Sequence, residues 1–342
     1  MYPALLSKTL SDGTVLCCAC AHFCRLPEGT RGQCGVRAHH QGRLVSLVGH
    51  RVAALHVDPI EKKPLFHFLP GSTTLSLGTQ GCNFRCAFCQ NWTLSCVRGP
   101  IQGEEVPPQR LVEAAQDLGC ASIAFTYSEP TVFLELVVET ADAALPHGLK
   151  LVLVSNGFQS PQTLRLLHQR IHAANIDLKG PDRFYRTLCG GRLAVVQRNL
   201  MRMRQMGWHV EVTTLVIPGH NDADADLVAI ARFLARELGP ETPWHVSRFH
   251  PCHKMPTTPP TPLETLLRAR DIGREEGLRY VFVGNVRQEG LEDTVCPECG
   301  ATAIARYGFS VTLMHLKSGR CSQCGTAILP QLPEHDPRGG GA

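Results

Sequence analysis

From about residue 73 onward the chain alternates between two kinds of stretch. Strand-like "TTLSLGTQG" precedes helix-like "PQRLVEAAQDLG", "ASIAFTYSEP" precedes "TVFLELVVETADAAL", and "KLVLVSNG" precedes "PQTLRLLHQR". The rhythm runs on through "AANIDLKG", "AVVQRNLMRMRQMG", "HVEVTTLVIPG", "DLVAIARFLARELG", "PWHVSRFHP", "LETLLRARDIGREEG" and a last strand, "RYVFVGN". Leu111, Ala114, Ala115 and Leu118 recur at helical spacing, as do Leu227, Ile230, Leu234 and Leu238. Strands that alternate with helices pair in parallel through right-handed crossovers. The chain is therefore α/β. Six or seven such units suit a partial barrel, a full (β/α) barrel or an open sheet. Polar residues collect just past the strand C-termini, in the cysteine loop, "TYSEP", "SNG", "DLK", "PGHND" and "RFHP". Barrels and open sheets both carry their chemistry at that edge.

Sixteen cysteines are the outlier in an otherwise ordinary composition with a net charge of +4. So small a charge gives a polyanionic partner no footing, and no basic patch interleaved with aromatics speaks for nucleic acid. The N-terminal "MYPALLSKTL" lacks the apolar core of a signal peptide, and no apolar run is long enough to span a bilayer. The expected location is the cytoplasm, with no membrane partner. In that setting, clustered thiols read as metal ligands rather than disulfides. Cys96, Cys120, Cys189 and Cys252 stand apart from the clusters and read as ordinary small buried residues.

The central cluster, "GCNFRCAFCQNW", holds Cys82, Cys86 and Cys89 in the spacing C-x3-C-x2-C. Thiolate is a soft ligand, suited to zinc, copper(I) and iron–sulfur clusters. A structural zinc site normally closes with four protein ligands, so three leave one position open. A zinc site completed by a distant histidine, or unrelated buried thiols, are the alternatives.

The outer groups can each supply four ligands. Cys296, Cys299, Cys321 and Cys324 form C-x2-C-x21-C-x2-C, with Gly300 and Gly325 after each pair. That is the pattern of a zinc ribbon, although a single iron would use the same ligands. Cys17, Cys20, Cys24 and Cys34 form C-x2-C-x3-C-x9-C, leaving Cys18 spare and His22 as a substitute ligand. Structural zinc is the expectation there too, with a second iron–sulfur cluster as the alternative.

Phe88 lies just before the third cysteine of the central loop, which follows a strand. In this the loop resembles the radical SAM signature. The longer stretch "DPIEKKPLFHFLPGSTTLSLGTQGCNFRCAFCQN" resembles the radical SAM proteins of the AmmeMemoRadiSam system, relatives of pyruvate formate-lyase activating enzymes. The resemblance runs from about residue 14 to 328 and includes "CAHFC", "GQCGVR", "TYSEPT", "WHVSRFHP" and "YVFVGN". It implies a barrel of the radical SAM type. It also implies a 4Fe–4S cluster on Cys82, Cys86 and Cys89 whose fourth iron is chelated by S-adenosylmethionine (SAM). One electron then cleaves SAM to methionine and a 5′-deoxyadenosyl radical, which abstracts hydrogen from a substrate. An electron donor such as flavodoxin or ferredoxin, an unidentified substrate and companion proteins of that system are the implied partners.

Several rim residues join this picture. Glu129 ends the second barrel strand, where relatives have a Gly-Gly-Glu-Pro turn. It can accept from the SAM ammonium, or serve as a helix cap. Tyr127 and Ser128 replace the two glycines. Asn156 with Gly157 forms either part of the SAM site or a simple turn. Asp177 and Lys179 point to the same side, and in the activase relatives their counterparts lie near the SAM carboxylate. An isolated ion pair is the alternative. Of His245 and His250, the family match favours His250 as the one facing SAM. Asp58, Glu61, Lys62, Lys63 and His67 cover the barrel mouth, bind substrate or form a solvated turn. The expected domains are a Cys-rich N-terminal segment (1–57), the barrel (58–290), a zinc-ribbon-like module (291–328) and a disordered tail (329–342). A glycyl-radical-enzyme activase is the alternative within the class. A non-catalytic metal scaffold or a ferredoxin-like electron carrier is the alternative outside it.

Overall fold

The computed structural model describes residues 1–97 and 99–329, so all but Leu329 of the expected tail lies outside the described residues. Eight strands lie side by side in chain order. They are β1 (Ala54–Pro59), β2 (Thr73–Gly78), β3 (Ser122–Phe125), β4 (Lys150–Ser155), β5 (Ala173–Asp177), β6 (His209–Val216), β7 (Trp244–Arg248) and β8 (Val281–Gly284). β1 is antiparallel to β2, and every other pair is parallel. β1 thus straddles the expected boundary at residue 57. Each parallel step moves in the same direction, so right-handed crossovers send all the helices to one face. These are α1 (Pro108–Asp117), α2 (Leu134–Ala144), α3 (Pro161–Leu167), α4 (Leu193–Gln205), α5 (Asp224–Phe233) and α6 (Leu263–Glu275). Among the described residues β1 and β8 are the two edges and do not pair. The barrel is therefore partial.

Residues on the outer face of the sheet, including Leu75, Leu77, Ile123, Phe125, Leu153 and Val246, form the main core with the helices. Leu118, expected on the apolar face of α1, is instead exposed just past its end. The inner face is polar yet buried, with Thr74, Ser76, Asn175, Glu211 and His245. Such groups need partners inside. The chain supplies them with residues 60–69. Ile60, Leu65 and Phe68 pack on Ala124, Val152 and Ala173. Glu211 accepts the N–H groups of Phe66 (3.0 Å) and His67 (2.7 Å) and binds His209 (2.9 Å) and His245 (2.6 Å). Burial opposes ionisation of Glu211, but His209 and His245 outweigh it and hold the carboxyl well below its usual range. Asn175 donates to the Pro64 carbonyl at 2.8 Å. The acidic and basic run before β2 is thus neither a mouth cover nor a solvated turn. It plugs the interior near the strand N-termini, with Asp58, Glu61, Lys63 and His67 buried and Lys62 alone of the five exposed.

The C-terminal module carries the antiparallel strands Thr294–Val295, Thr302–Tyr307 and Ser310–Met314. Its buried Arg306 donates to the Phe66 carbonyl at 2.6 Å and lies 4.4 Å over the Phe66 ring. His67 meets Thr294 at 3.1 Å. At the other end of the chain, Val15, Cys17, Ala19, Leu26 and Leu44 form a small core of their own. Buried Arg37 ties that segment to Glu135 of α2 at 3.0 Å. No helix among the described residues is long and apolar enough to cross a membrane.

Burial lowers the pKa of His67 to about 3, against about 6.5 for an unfolded histidine. The folded state keeps this ring neutral, so its contribution is complete above about pH 6.5 and is lost as pH falls. Stability is expected to drop by up to about 1.4 kcal/mol per pH unit in that window. Melting temperatures from pH 8 down to 5 check this. The slope should flatten in His67→Asn, and an equal slope would remove His67 as its cause.

Candidate active site

The loop that leaves β2 at its C-terminal end carries Cys82, Cys86 and Cys89, all free thiols and half-buried. Three neighbours brace it. Residues 185–189, a π-helical turn after β5, accept from it twice: Arg85 N–H to the Cys189 carbonyl (2.8 Å) and Ala87 N–H to the Leu188 carbonyl (2.9 Å). The segment after β7 contributes the Lys254 N–H to the Ala87 carbonyl (3.0 Å) and the Cys252 thiol to the Phe88 carbonyl (3.2 Å). The N-terminal segment packs on Gly81, whose φ is +100° and whose site has no room for a side chain. A Cβ there would lie 2.7 Å from Val36.

The expected rim residues gather around this loop. Lys179 pairs with Asp177 at 2.6 Å, and its ammonium lies 5.8 Å from the Phe88 ring. Burial alone would lower the pKa of Lys179. Asp177 and the sulfurs of Cys86 and Cys189 outweigh it and keep the ammonium charged far above its usual range. The pair is not isolated, because those sulfurs belong to the loop and its brace. Asn156 donates to Asn83 Oδ1 at 2.7 Å and lies 3.9 Å from the Cys82 sulfur. It also forms the expected turn, accepting the Phe158 N–H at 3.0 Å, with Gly157 at φ +73°. A Cβ on Gly157 would come within 2.8 Å of Ile176, so Gly157→Ala is expected to lose about 1–3 kcal/mol of stability. Chemical denaturation checks this, and an unchanged midpoint would contradict it.

Glu129 stands one layer behind. It caps the turn that follows, accepting the Thr131 N–H at 3.2 Å. Its oxygens also take Ser155 Oγ (2.9 and 3.0 Å) and the Asn156 N–H (2.9 Å). Burial pushes its pKa up. Tyr127 keeps the left-handed backbone of a glycine turn, at φ +65°, while its hydroxyl anchors on Asp58 inside the barrel. His250 lies exposed just past β7. His245 is buried on Glu211, below this rim.

The thiols differ electrostatically. Burial pushes Cys82 well up, with the Glu129 charge adding to it, and burial also raises Cys89. Cys86 is lowered, first by the neighbouring Cys189 thiol and then, against burial, by the Lys179 charge. Three soft donors on one loop, beside a half-buried cation and at the strand ends, suit a cluster with one open corner.

The Radical SAM superfamily profile matches residues 76–234. Over 331 residues the chain is 42% identical to the Uncharacterized protein MJ0808 of Methanocaldococcus jannaschii, covering 96% of this chain and 99% of that one. Residues 76–234 are a Radical SAM domain. A second protein of that organism, provisionally named a glycyl-radical enzyme activating enzyme, is 28% identical over 169 residues. The match covers 48% of this chain and 64% of that one. Among solved structures, a domain of a pyruvate-formate lyase-activating enzyme from Bacteroides vulgatus aligns with a TM-score of 0.42 at 19% identity. It covers 48% of this chain and 99% of that domain. Radical SAM membership implies a 4Fe–4S cluster and SAM, and the free thiols of the β2 loop have the donor chemistry for such a cluster.

The outer cysteines of this Radical SAM chain differ in spacing. Cys296, Cys299, Cys321 and Cys324 have sulfurs all within 4.8 Å of one another. Cys296 and Cys324 are 3.5 Å apart, and Cys299 and Cys321 are 3.8 Å apart. A tetrahedral ion with metal–sulfur bonds of about 2.3 Å needs sulfurs about 3.8 Å apart. Hydrogen bonding to Thr326 holds Cys324 down to about 6, toward the thiolate a metal needs. Among the described residues this is the group of metal-ligating side chains gathered so closely. Cys17, Cys24 and Cys34 all act electrostatically on Cys20, which burial raises. Burial also pushes Cys34 up to about 11. This N-terminal group sits against the cluster loop, since His22 bonds the Asn83 carbonyl at 2.9 Å.

Sequence reasoning missed Cys189 and Cys252, which touch the loop. Nothing in their spacing links them to it, because each is brought there by a different strand.

Proposed function

We propose that Cys82, Cys86 and Cys89 hold a 4Fe–4S cluster at which SAM is reductively cleaved, and that the resulting radical abstracts hydrogen from a substrate C–H. The observation that carries this is the set of three free thiols on the strand-end loop, with the charged Lys179 beside Cys86. When bound and reduced, the cluster supplies the electron that breaks the SAM carbon–sulfur bond, giving methionine and a 5′-deoxyadenosyl radical. The chain does the positioning. Lys179, held by Asp177, offers positive charge to the SAM carboxylate. Asn156 offers its amide beside Cys82, and Glu129 fixes Asn156 through its backbone N–H. Phe88 lies beside the Lys179 ammonium, and the exposed His250 is the histidine proposed to face SAM.

Zinc is the ion proposed for the C-terminal group, and also for the N-terminal group. A one-electron donor such as flavodoxin or ferredoxin completes the reaction, in the cytoplasm. The stretch before Cys82 favours a place in the AmmeMemoRadiSam system, with companion proteins. A glycyl-radical activase is the second reading, favoured by the relative provisionally named for that activity. The metal modules at both ends depart from a minimal activase.

Lys179→Met is expected to weaken SAM binding about tenfold or more, the worth of a charge-assisted contact. Iron content should stay the same. Titrating SAM against the electron paramagnetic resonance signal of the reduced protein measures this. An unchanged affinity would remove Lys179 from the site, and a signal indifferent to SAM would remove the proposal itself.

A further inference from the structure

We infer that Arg85, Arg192, Arg198 and Arg202 form the docking surface for an acidic one-electron carrier, which passes its electron to the proposed cluster through the loop beside Cys86. The inference rests on the proposed cluster and deepens that reading by naming where the donor binds.

The net charge of the chain is only +4, but the charges are not evenly spread. Residues 183–210 contain six arginines and no aspartate or glutamate. Residues 62–103, which include the cysteine loop, contain no carboxylate side chain either. The fold brings these two stretches together. The Arg85 N–H binds the Cys189 carbonyl at 2.8 Å. Phe84 packs on Gly191 so closely that a Cβ there would lie 2.5 Å from its ring. Arg85 and Arg192 follow these two packed residues, and both are exposed. Arg192 immediately precedes α4, and Arg198 and Arg202 stand one turn apart on it. Asn199 fixes that part of α4 at the strand-end rim, donating to the carbonyls of Gly157 and Gln159, each at 2.8 Å.

Arg183 and Arg186 are already paired, with Asp226 and Asp182. Asp182 also takes the Leu193 N–H at 3.1 Å. Among the described residues, Arg85, Arg192, Arg198 and Arg202 pair with no carboxylate. Burial lowers the pKa of Arg198, and the charges of Arg202 and Arg192 lower it further. An anionic partner laid across these cations relieves their repulsion.

Such a surface fits a partner rich in carboxylates or phosphates. Single-stranded RNA stacks its bases on aromatic side chains, yet the aromatics beneath this surface, Phe84 and Tyr185, are buried. A small phosphorylated substrate is held in a concave site, whereas Arg85 and Arg192 stand open. A carrier protein needs neither feature. It needs charge to steer a brief encounter over a small area, and a short path to the cluster. Arg85 is the chain neighbour of Cys86. One electron leaves the reduced carrier and enters the oxidised cluster, and no bond is made or broken in that transfer.

The test uses the full chain reconstituted with its cluster, and two probes, an acidic flavodoxin and an acidic 2Fe–2S ferredoxin. Calorimetric titration measures their binding to wild type, Arg192→Lys, Arg192→Glu and the double variant Arg198→Glu/Arg202→Glu. At least one carrier should bind wild type, and raising salt from about 50 to about 200 mM should weaken that binding severalfold. Each charge-reversed protein should bind about tenfold more weakly. Arg192→Lys should stay near wild type. SAM cleavage driven by the carrier should fall with binding, while cleavage driven by dithionite stays unchanged. Either reversed protein that folds and retains iron suffices, and the salt series tests wild type without any substitution. Binding of neither carrier, binding indifferent to salt, or equal binding by wild type and the reversed proteins would overturn the inference. So would loss of the dithionite-driven rate in an iron-loaded reversed protein, which would place the arginines at the substrate. A uridine oligonucleotide bound through the same arginines, with neither carrier bound, would overturn it in favour of RNA. Carrier binding is read without SAM turnover. A wild type that binds the carrier yet leaves SAM intact therefore fails the proposed reaction and not this inference.

Discussion

Replacing any one of Cys82, Cys86 or Cys89 with alanine is expected to abolish the reconstituted cluster and all SAM cleavage, while the barrel stays folded. The loop does not depend on metal alone for its shape. It is bonded to the Leu188–Cys189 turn, to Lys254 and Cys252 after β7, and through Asn91 to the Tyr127 carbonyl at 2.9 Å. The three side chains are half-buried, and Cys82 and Cys86 pack only against the edge of the core. Removing a sulfur should therefore lower the melting temperature by a few degrees at most, for a change near 1 kcal/mol. The cluster has no such reserve. With three protein ligands by design, two cannot hold four irons against solvent. Iron and sulfide analysis with a melting curve on each variant separates the two effects. A variant that kept a full cluster would show that its cysteine is not a ligand.

Loss of the C-terminal metal should have the second largest effect, and it should reach the barrel. Cys296, Cys321, Ala303 and Ile328 are nearly all the core that the module possesses. Structural zinc supplies about 10–16 kcal/mol to folding in comparable small units. Without it the short strands would separate, and Arg306 would leave the barrel floor. The Phe66 carbonyl would lose its donor, and Glu61 would lose the cation that lies 3.8 Å from it. Breaking a buried pair from one side costs about 3–5 kcal/mol. Cys321→Ser, or chelation of the wild type, should therefore lower the melting temperature of the whole chain. Arg306→Met should reproduce part of that loss with the metal retained. Metal analysis beside calorimetry checks both. A chelated protein melting at the original temperature would show that the module is an independent appendage.

The barrel was legible because α/β alternation is a local signal. Each helical stretch buries a stripe, as Leu227, Ile230, Leu234 and Leu238 do, and that period survives in the bare sequence. The ligand loop was legible for the same reason, since its three cysteines are neighbours in the chain. The interior was not. The plug formed by residues 60–69 is rich in charge and reads as surface. Its partners Asn175, Glu211 and His245 lie more than a hundred residues away. Cys189 was hidden likewise. Only the sheet order β2-β3-β4-β5, followed by a π turn, brings it to the cysteine loop. Glu129 was placed at the right strand end, but its burial beneath Ser155 and Asn156 depends on β4 and could not be read from "TYSEP".

The most direct test of the central claim is one assay on the wild-type chain. The protein is reconstituted anaerobically with iron and sulfide, reduced, and given SAM. Chromatography then quantifies 5′-deoxyadenosine and methionine. The account predicts both products, in equal amounts, with none from the Cys86→Ala protein. A reduced, cluster-loaded wild type that returned SAM intact would contradict it.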